Sequence, residues 1–195
     1  DAVRPRALAA ERAGHDVVCV SGDKLLGGPQ SGLVLGRTDL VDRMRRHPLM
    51  RAFRVDKLTY AALEATLLEH VSGRAAATVP VAAMIAMSRA QVAARARALA
   101  GRVGRVTGLT TSVADGASTI GGGSAPGSAL PTALLALTLA GCSADDLLAR
   151  LRALPTPVIA RIEDDRVVLD LRTVRPDEDE KVAGLIAAVA ATKTT

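Results

Sequence analysis

Aromatic side chains are almost absent from this chain of 195 residues, which has Phe53, Tyr60 and no tryptophan. Its core must therefore be aliphatic. Nucleic-acid binding by stacked aromatic side chains is argued against on the same ground. Cysteine is equally sparse: Cys19 and Cys142 are too few and too far apart for a zinc site or a disulfide framework. Cys19 sits inside an apolar run and is expected in the core. The longest apolar stretch, Ala133–Ala140, is bounded by Pro131 and Gly141 and is too short to span a bilayer. With no signal-peptide pattern either, the expectation is a cytoplasmic protein that does not contact a membrane. His15, His47 and His70 stand isolated, with no metal-ligand spacing, and none is assigned to catalysis. No internal repeat is visible.

What remains is ordinary for a globular protein: 49% hydrophobic and 23% charged residues, long enough for one domain or one and a half. The net charge of +5 is carried mainly by arginine. It is compatible with RNA contact, but arginine and alanine enrichment is also a general compositional habit, so the charge decides little.

The chain is organised around Ser21–Gly32, Ser-Gly-Asp-Lys-Leu-Leu-Gly-Gly-Pro-Gln-Ser-Gly. Apolar runs flank it, Val17–Val20 before and Leu33–Leu35 after, as buried strands would. Lys24 thus lies at the C-terminal end of a strand, where open α/β sheets place their ligands. The glycines that follow let backbone approach closely. A lysine so placed fits the nucleophilic amine of a pyridoxal phosphate enzyme, which burial or a neighbouring cation must deprotonate. A solvated loop lysine fits the residue type as well. Asp23, beside it, suits either tuning of the lysine or capping of the turn.

Downstream, Thr38 or Asp39 caps a helix to about Arg46, with Leu40, Val41 and Met44 on one face and Pro48 beyond its end. Arg51, Arg54 and Lys57 then step by three and would share a helical face. Guanidinium forks at that spacing suit a tetrahedral oxyanion; a solvated basic face is the other reading. Asp56 caps a helix from Leu58 to His70, with Leu63, Leu67 and Val71 expected inward and Ser72-Gly73 ending it. A helix is also expected over Arg6–Ala13.

The rest alternates. Val81–Leu99 reads as one long helix with Ser88 on its apolar stripe and Arg89, Arg95 and Arg97 largely off it. Arg105–Val113 and Thr132–Leu139 read as strands, and Ala114–Pro131 as a loop. The triple glycine Gly121–Gly123 suits a flexible turn or an anion-holding nest, and it lacks the Lys-Ser/Thr of a P-loop. Ser143 starts a helix with Leu147, Leu148 and Leu151 inward. Pro157–Ile162 and Arg166–Arg172 form a hairpin turning at Asp164-Asp165, with Asp170 and Arg172 on its outer face. A last helix buries Val182, Leu185, Ile186 and Val189. Strand, helix, hairpin and helix after an initial helix and strand describe a small α+β layer.

Three strings resemble the bacterial selenocysteine synthase family, the L-seryl-tRNA(Sec) selenium transferases. They are Ser21–Gly32, His47–Leu67 and Gly121–Pro131, in the expected order, and the likeness runs from about Gly14 to Arg172. The resemblance implies an α/β, PLP-dependent transferase fold of the aspartate aminotransferase type (fold type I). Residues 1–75 would be the C-terminal part of the PLP-binding large domain and 76–195 a small α+β C-terminal domain. It implies Lys24 as the lysine bearing pyridoxal 5'-phosphate and as a catalytic base, with Asp23 beside it. Arg51 and Arg54 would hold selenophosphate, the selenium donor, while Lys57 receives no role. The Gly121–Gly123 loop would border the active site. The implied reaction converts seryl-tRNA(Sec) to selenocysteinyl-tRNA(Sec), in a homo-oligomer built as a ring of dimers. Because the chain opens with Asp1 in helix-like sequence and its first strand is already the lysine strand, a C-terminal fragment is expected, a poor enzyme or an inactive one on its own. The residues that would pair with the pyridine nitrogen, stack on the ring and bind most of the tRNA would lie upstream. Two other readings stay open: a related PLP-dependent lyase acting on a free amino or sugar acid, and a non-catalytic truncated copy.

Overall fold

The structure, a computed structural model, describes residues 13–120 and 127–192. Of the expected Arg6–Ala13 helix all but Ala13, and the whole Gly121–Gly123 loop, lie outside the described residues. The chain divides into two compact units, one up to Ala86 and one from Met87 onward.

In the first unit, β1 (Val17–Ser21) and β2 (Gly32–Gly36) form an antiparallel pair with Ser21 opposite Gly32. The Lys24 segment is therefore the connection of a hairpin. Cys19 is exposed rather than in a core. On the pleat of β1 it alternates with Val18 and Val20, which are partly buried. Helix α1 (Thr38–Arg46) follows as expected, although Arg37 and not Thr38 or Asp39 is its N-cap residue. A single turn, α2 (Met50–Phe53), ends in extended backbone at Arg54. Asp56 then caps α3 (Lys57–Val71) by accepting from the Thr59 N–H at 2.8 Å. Two short helices, α4 (Ala75–Thr78) and α5 (Pro80–Ala86), complete the unit, the latter with proline at its first position.

The stripe α3 turns inward is not the one that its leucines suggest. Leu63 is buried, but Leu67 is 38% and Val71 84% exposed. The packed stripe is Leu63, Thr66 and His70, which continues the same helical face by steps of three and four.

The second unit holds most of the buried side chains. The expected single helix over Val81–Leu99 is two, α5 and then α6 (Arg89–Val103). Ser88 is the N-cap of α6, and with Gln91 it forms a capping box that starts a new helix there. Strands β3 (Leu109–Thr119) and β4 (Ala129–Leu139) are longer than the sequence suggests and pair antiparallel from Leu109–Leu139 to Thr119–Ala129. After α7 (Ala144–Arg152), capped by Ser143, β5 (Arg161–Glu163) and β6 (Arg166–Asp170) form the expected hairpin. Its tip, Asp164-Asp165, has both φ angles positive, as a two-residue primed turn requires. The sheet order is β3-β4-β6-β5. Helix α8 (Asp179–Ala191) closes the chain.

β4 is the centre of this unit. Ala133, Leu135 and Leu137 face Leu99 of α6, Leu151 of α7 and Ile186 of α8 in one aliphatic core. Leu134 and Ala136 join Val168 in a smaller cluster on the other face. The hairpin reading placed Arg172 on an outer face, yet only 4% of it is exposed. A 3-10 turn at Leu171–Thr173 breaks the strand alternation just before it. Its guanidinium donates to Ser118 Oγ, Pro131 O and Met87 O, so the buried charge is satisfied.

Candidate functional site

Residues 22–31 close on themselves. The Gly22 N–H donates to Ser31 O and the Gly28 N–H to Gly22 O, each at 2.8 Å, and the Gly27 N–H to Lys24 O at 3.0 Å. Three glycines permit the closure. A Cβ on Gly22 would lie 2.3 Å from Ser31 Oγ; one on Gly27, whose φ is +75°, would lie 2.5 Å from Val79 and Val81 Cγ1. Gly28 comes down on α3, where a Cβ would meet Leu63 Cδ1 at 3.5 Å and Thr66 Oγ1 at 3.4 Å. The glycines thus serve the loop's own packing, on α3 on one side and on Val79 and Val81 on the other.

Lys24 stands exposed on this closed loop, and among the described residues its amine has no hydrogen-bond or ion-pair partner. Asp23 accepts a 2.6 Å hydrogen bond from Ser21 Oγ. That bond, its own backbone N–H and the neighbouring Lys24 ammonium hold the Asp23 carboxyl below the usual carboxylate range, so it is ionised at neutral pH. A primary amine on a self-closed turn is the kind of group to which an aldehyde cofactor such as pyridoxal phosphate attaches. The burial or neighbouring cation expected to deprotonate it is not what the structure shows: Lys24 is exposed, and its charged neighbour is the Asp23 carboxylate. Lys24 supplies the attachment only: the described residues around it offer no group aimed at a ring nitrogen.

Arg51 lies in α2 and Arg54 at its C-cap. The face that these two were to share with Lys57 does not extend to the lysine. The backbone is extended at Arg54, and Lys57 opens α3. Neither guanidinium has a partner among the described residues. Most arginines of this unit differ: Arg37 is held by Asp16 and Asp39, Arg45 and Arg46 by Asp42, and Arg74 by Glu69. A cleft of about 500 Å³ on this unit is walled by Leu40, Met44, Leu49, Met50 and Phe53 with Arg43 and His47, and neither Arg51 nor Arg54 lines it. Asp23 and Lys24 are thus neighbours on one loop and Arg51 and Arg54 neighbours on one turn. No hydrogen bond or ion pair joins the two sets.

Sequence reasoning passed over His70. Its Nε2 lies 2.9 Å from the Leu26 carbonyl oxygen, two residues beyond Lys24. The seven-residue interval from Leu63 to His70, two turns of one helix face, is the signal that could have found it.

A sequence model of the L-seryl-tRNA selenium transferase family matches residues 2–175. Three curated proteins named L-seryl-tRNA(Sec) selenium transferase are close in sequence. That of Geotalea uraniireducens is 46% identical over 91% of this chain and 38% of its own length. Those of Geobacter sulfurreducens and Geobacter metallireducens are 44% and 41% identical, over 91% and 92% of this chain and 39% of their own. The chain therefore spans about two fifths of the length of the curated relatives that it matches. A solved structure of D-glucosaminate-6-phosphate ammonia-lyase superposes with a TM-score of 0.61 at 21% identity, covering 92% of this chain and 44% of that one. It shares the α/β fold. With the match running through the Lys24 loop, the arginine turn and most of the second unit, the chain belongs to the L-seryl-tRNA selenium transferase family.

Proposed function

We propose that this chain carries the cofactor-lysine and donor-binding part of a PLP-dependent enzyme that converts seryl-tRNA(Sec) to selenocysteinyl-tRNA(Sec) with selenophosphate. The observation that carries the reading is Lys24: an unpartnered amine on a self-closed glycine loop, inside the segment shared with the family.

Pyridoxal phosphate, attached through Lys24, supplies an electron sink for bond breaking at the serine Cα. Lys24 Nζ, once free, takes the Cα proton. The β-hydroxyl takes up that proton and leaves as water. Selenium forms the new bond to Cβ and a proton returns to Cα, while the donor's P–Se bond is broken by water and phosphate is released. Asp23 stays ionised and keeps a negative charge beside the amine. Arg51 and Arg54 bind the phosphate oxygens of the donor by paired N–H contacts, for which their lack of carboxylate partners leaves them available.

In this reading the fold is that of the type I PLP enzymes. Residues 1–75 are the end of the large domain and 76–195 the small α+β domain. The protein works in the cytoplasm as a homo-oligomer, a ring of dimers, with most tRNA contacts made elsewhere in the whole protein. Exposed apolar side chains in the first unit, Phe53, Leu58 and Val71 among them, support a larger assembly, since surfaces of this kind are usually covered. No helix among the described residues is long and apolar enough to cross a membrane.

The test is borohydride reduction of the whole protein purified with pyridoxal phosphate, followed by peptide mass mapping. Label on the Lys24 peptide is expected; a folded protein unlabelled there would remove the mechanism. Turnover of seryl-tRNA(Sec) that depends on selenophosphate separates this reading from a lyase acting on a free amino or sugar acid.

A further inference from the structure

The Lys24 loop is closed by its own backbone, but closure alone does not fix where the loop sits. Among the described residues, apart from the bond that Ser21 Oγ of the adjoining β1 donates to Asp23, a single hydrogen bond reaches residues 22–31 from another element: His70 Nε2 to Leu26 O at 2.9 Å, across 44 positions of sequence. A carbonyl oxygen only accepts, so Nε2 carries the hydrogen. The ring is partly buried in the last turn of α3. Leu63 and Thr66, on the same stripe, lie under Gly28. The Leu26 carbonyl is followed at once by Gly27, whose N–H closes back on Lys24 O and whose Cα is pinned against Val79 and Val81. A donor at Leu26 O therefore holds the peptide that ends the lysine turn.

We propose that His70 is a positioning residue for Lys24, through an Nε2–H hydrogen bond that anchors the lysine turn to α3. This rests on the assignment of Lys24 as the cofactor lysine. The bond needs a donor at the reach of Nε2 and no titration, since the neutral Nε2–H tautomer and the imidazolium both donate to Leu26 O. It sets the direction in which the lysine leaves the loop, and with it the rate at which its amine meets an aldehyde.

The test compares His70→Gln with His70→Asn in the whole protein. Glutamine places an amide N–H near the position of Nε2; asparagine is equally polar but ends at the position of Nδ1, short of Leu26 O. Two readouts are taken. The first is amide hydrogen exchange over residues 21–32 without cofactor. The second is the rate of borohydride-trapped labelling of Lys24 by added pyridoxal phosphate. With H70N, exchange of the Gly27 and Gly28 amides is expected to rise about fivefold, the factor for one lost neutral hydrogen bond, and labelling to slow, with exchange elsewhere unchanged. H70Q is expected to restore both. Equal behaviour of H70N, H70Q and wild type in exchange and labelling overturns the proposal and leaves the Lys24 assignment standing. A wild type that never labels at Lys24 overturns both. Faster exchange through the whole first unit in H70N, not returned to normal by H70Q, would make His70 a general packing residue and likewise overturn its positioning role.

Discussion

Arg95 and Asp179 meet in a two-point ion pair, Nη2 to Oδ1 at 2.6 Å and Nε to Oδ2 at 3.1 Å, with both side chains largely withdrawn from solvent. The same guanidinium donates to Leu171 O at 2.8 Å and Val174 O at 2.9 Å. One side chain of α6 thus fixes the first residue of α8 and the 3-10 turn after β6. Removing Asp179 strands the largely buried Arg95 charge, and removing Arg95 leaves Asp179 only Arg102 Nη1 at 3.9 Å. Asp179→Leu and Arg95→Met are each expected to cost about 3–5 kcal/mol, and the double variant Arg95→Met/Asp179→Leu less than the sum of the two single changes. Urea denaturation midpoints at an unchanged m value check this.

Gly27 and Gly73 have nearly the same φ, +75° and +74°, but different surroundings. Nothing lies within 4 Å of a Cβ on Gly73, whereas one on Gly27 would overlap two valines at 2.5 Å. Gly73→Ala therefore isolates the left-handed backbone cost of about 1–2 kcal/mol. Gly27→Ala is expected to cost that plus the overlap, and Val81→Ala in the same chain to recover part of the excess but not the backbone share. Comparison of the three by chemical denaturation separates the two causes.

Local rules were legible where a single residue decides the outcome. Asp56 and Ser143 cap the helices expected of them, and Asp164-Asp165 turns the hairpin. Reading failed where a tertiary neighbour decides. Gly116 and Pro131 look like loop residues, yet β3 runs through the glycine because the Leu134 side chain fills the space of its Cβ. Pro131 is tolerated because β6 pairs only with Leu134–Leu137 of β4. Arg172 alternates like a surface residue until the 3-10 turn swings it inward. At the site, the lysine loop and the two arginines were visible as strings. The His70 anchor was not, because its partner is a main-chain carbonyl 44 residues away, which no side-chain pattern marks.

Acid is expected to loosen both ends of α3. Asp56 is held below the usual carboxylate range chiefly by the Thr59 N–H, and Glu69 by Arg74 and then Thr78. Both carboxyls have folded-state pKa values depressed from the unfolded ones. Their contribution is therefore fully present above the ordinary carboxylate range near 4 and is lost as pH falls through the depressed values. Stability measured between pH 6 and pH 3 should fall less steeply in Asp56→Asn and Glu69→Gln than in wild type. Equal slopes would show that these contacts do not persist in solution.

Arg51 and Arg54 allow function to be separated from folding. Neither guanidinium has a partner among the described residues, so Arg51→Ala and Arg54→Ala are expected to change stability by no more than about 0.5 kcal/mol. If they hold the phosphate oxygens of the donor, each loses a charge-assisted contact worth about 1.5–3 kcal/mol, a rise in KM for selenophosphate of roughly tenfold or more. Arg51→Lys keeps the charge but not the planar fork, and its KM is expected between those of wild type and Arg51→Ala. The KM for seryl-tRNA(Sec) should not follow. A rise in both KM values together would assign the pair to a general electrostatic role, and an unchanged selenophosphate KM in both alanine variants would place the donor elsewhere.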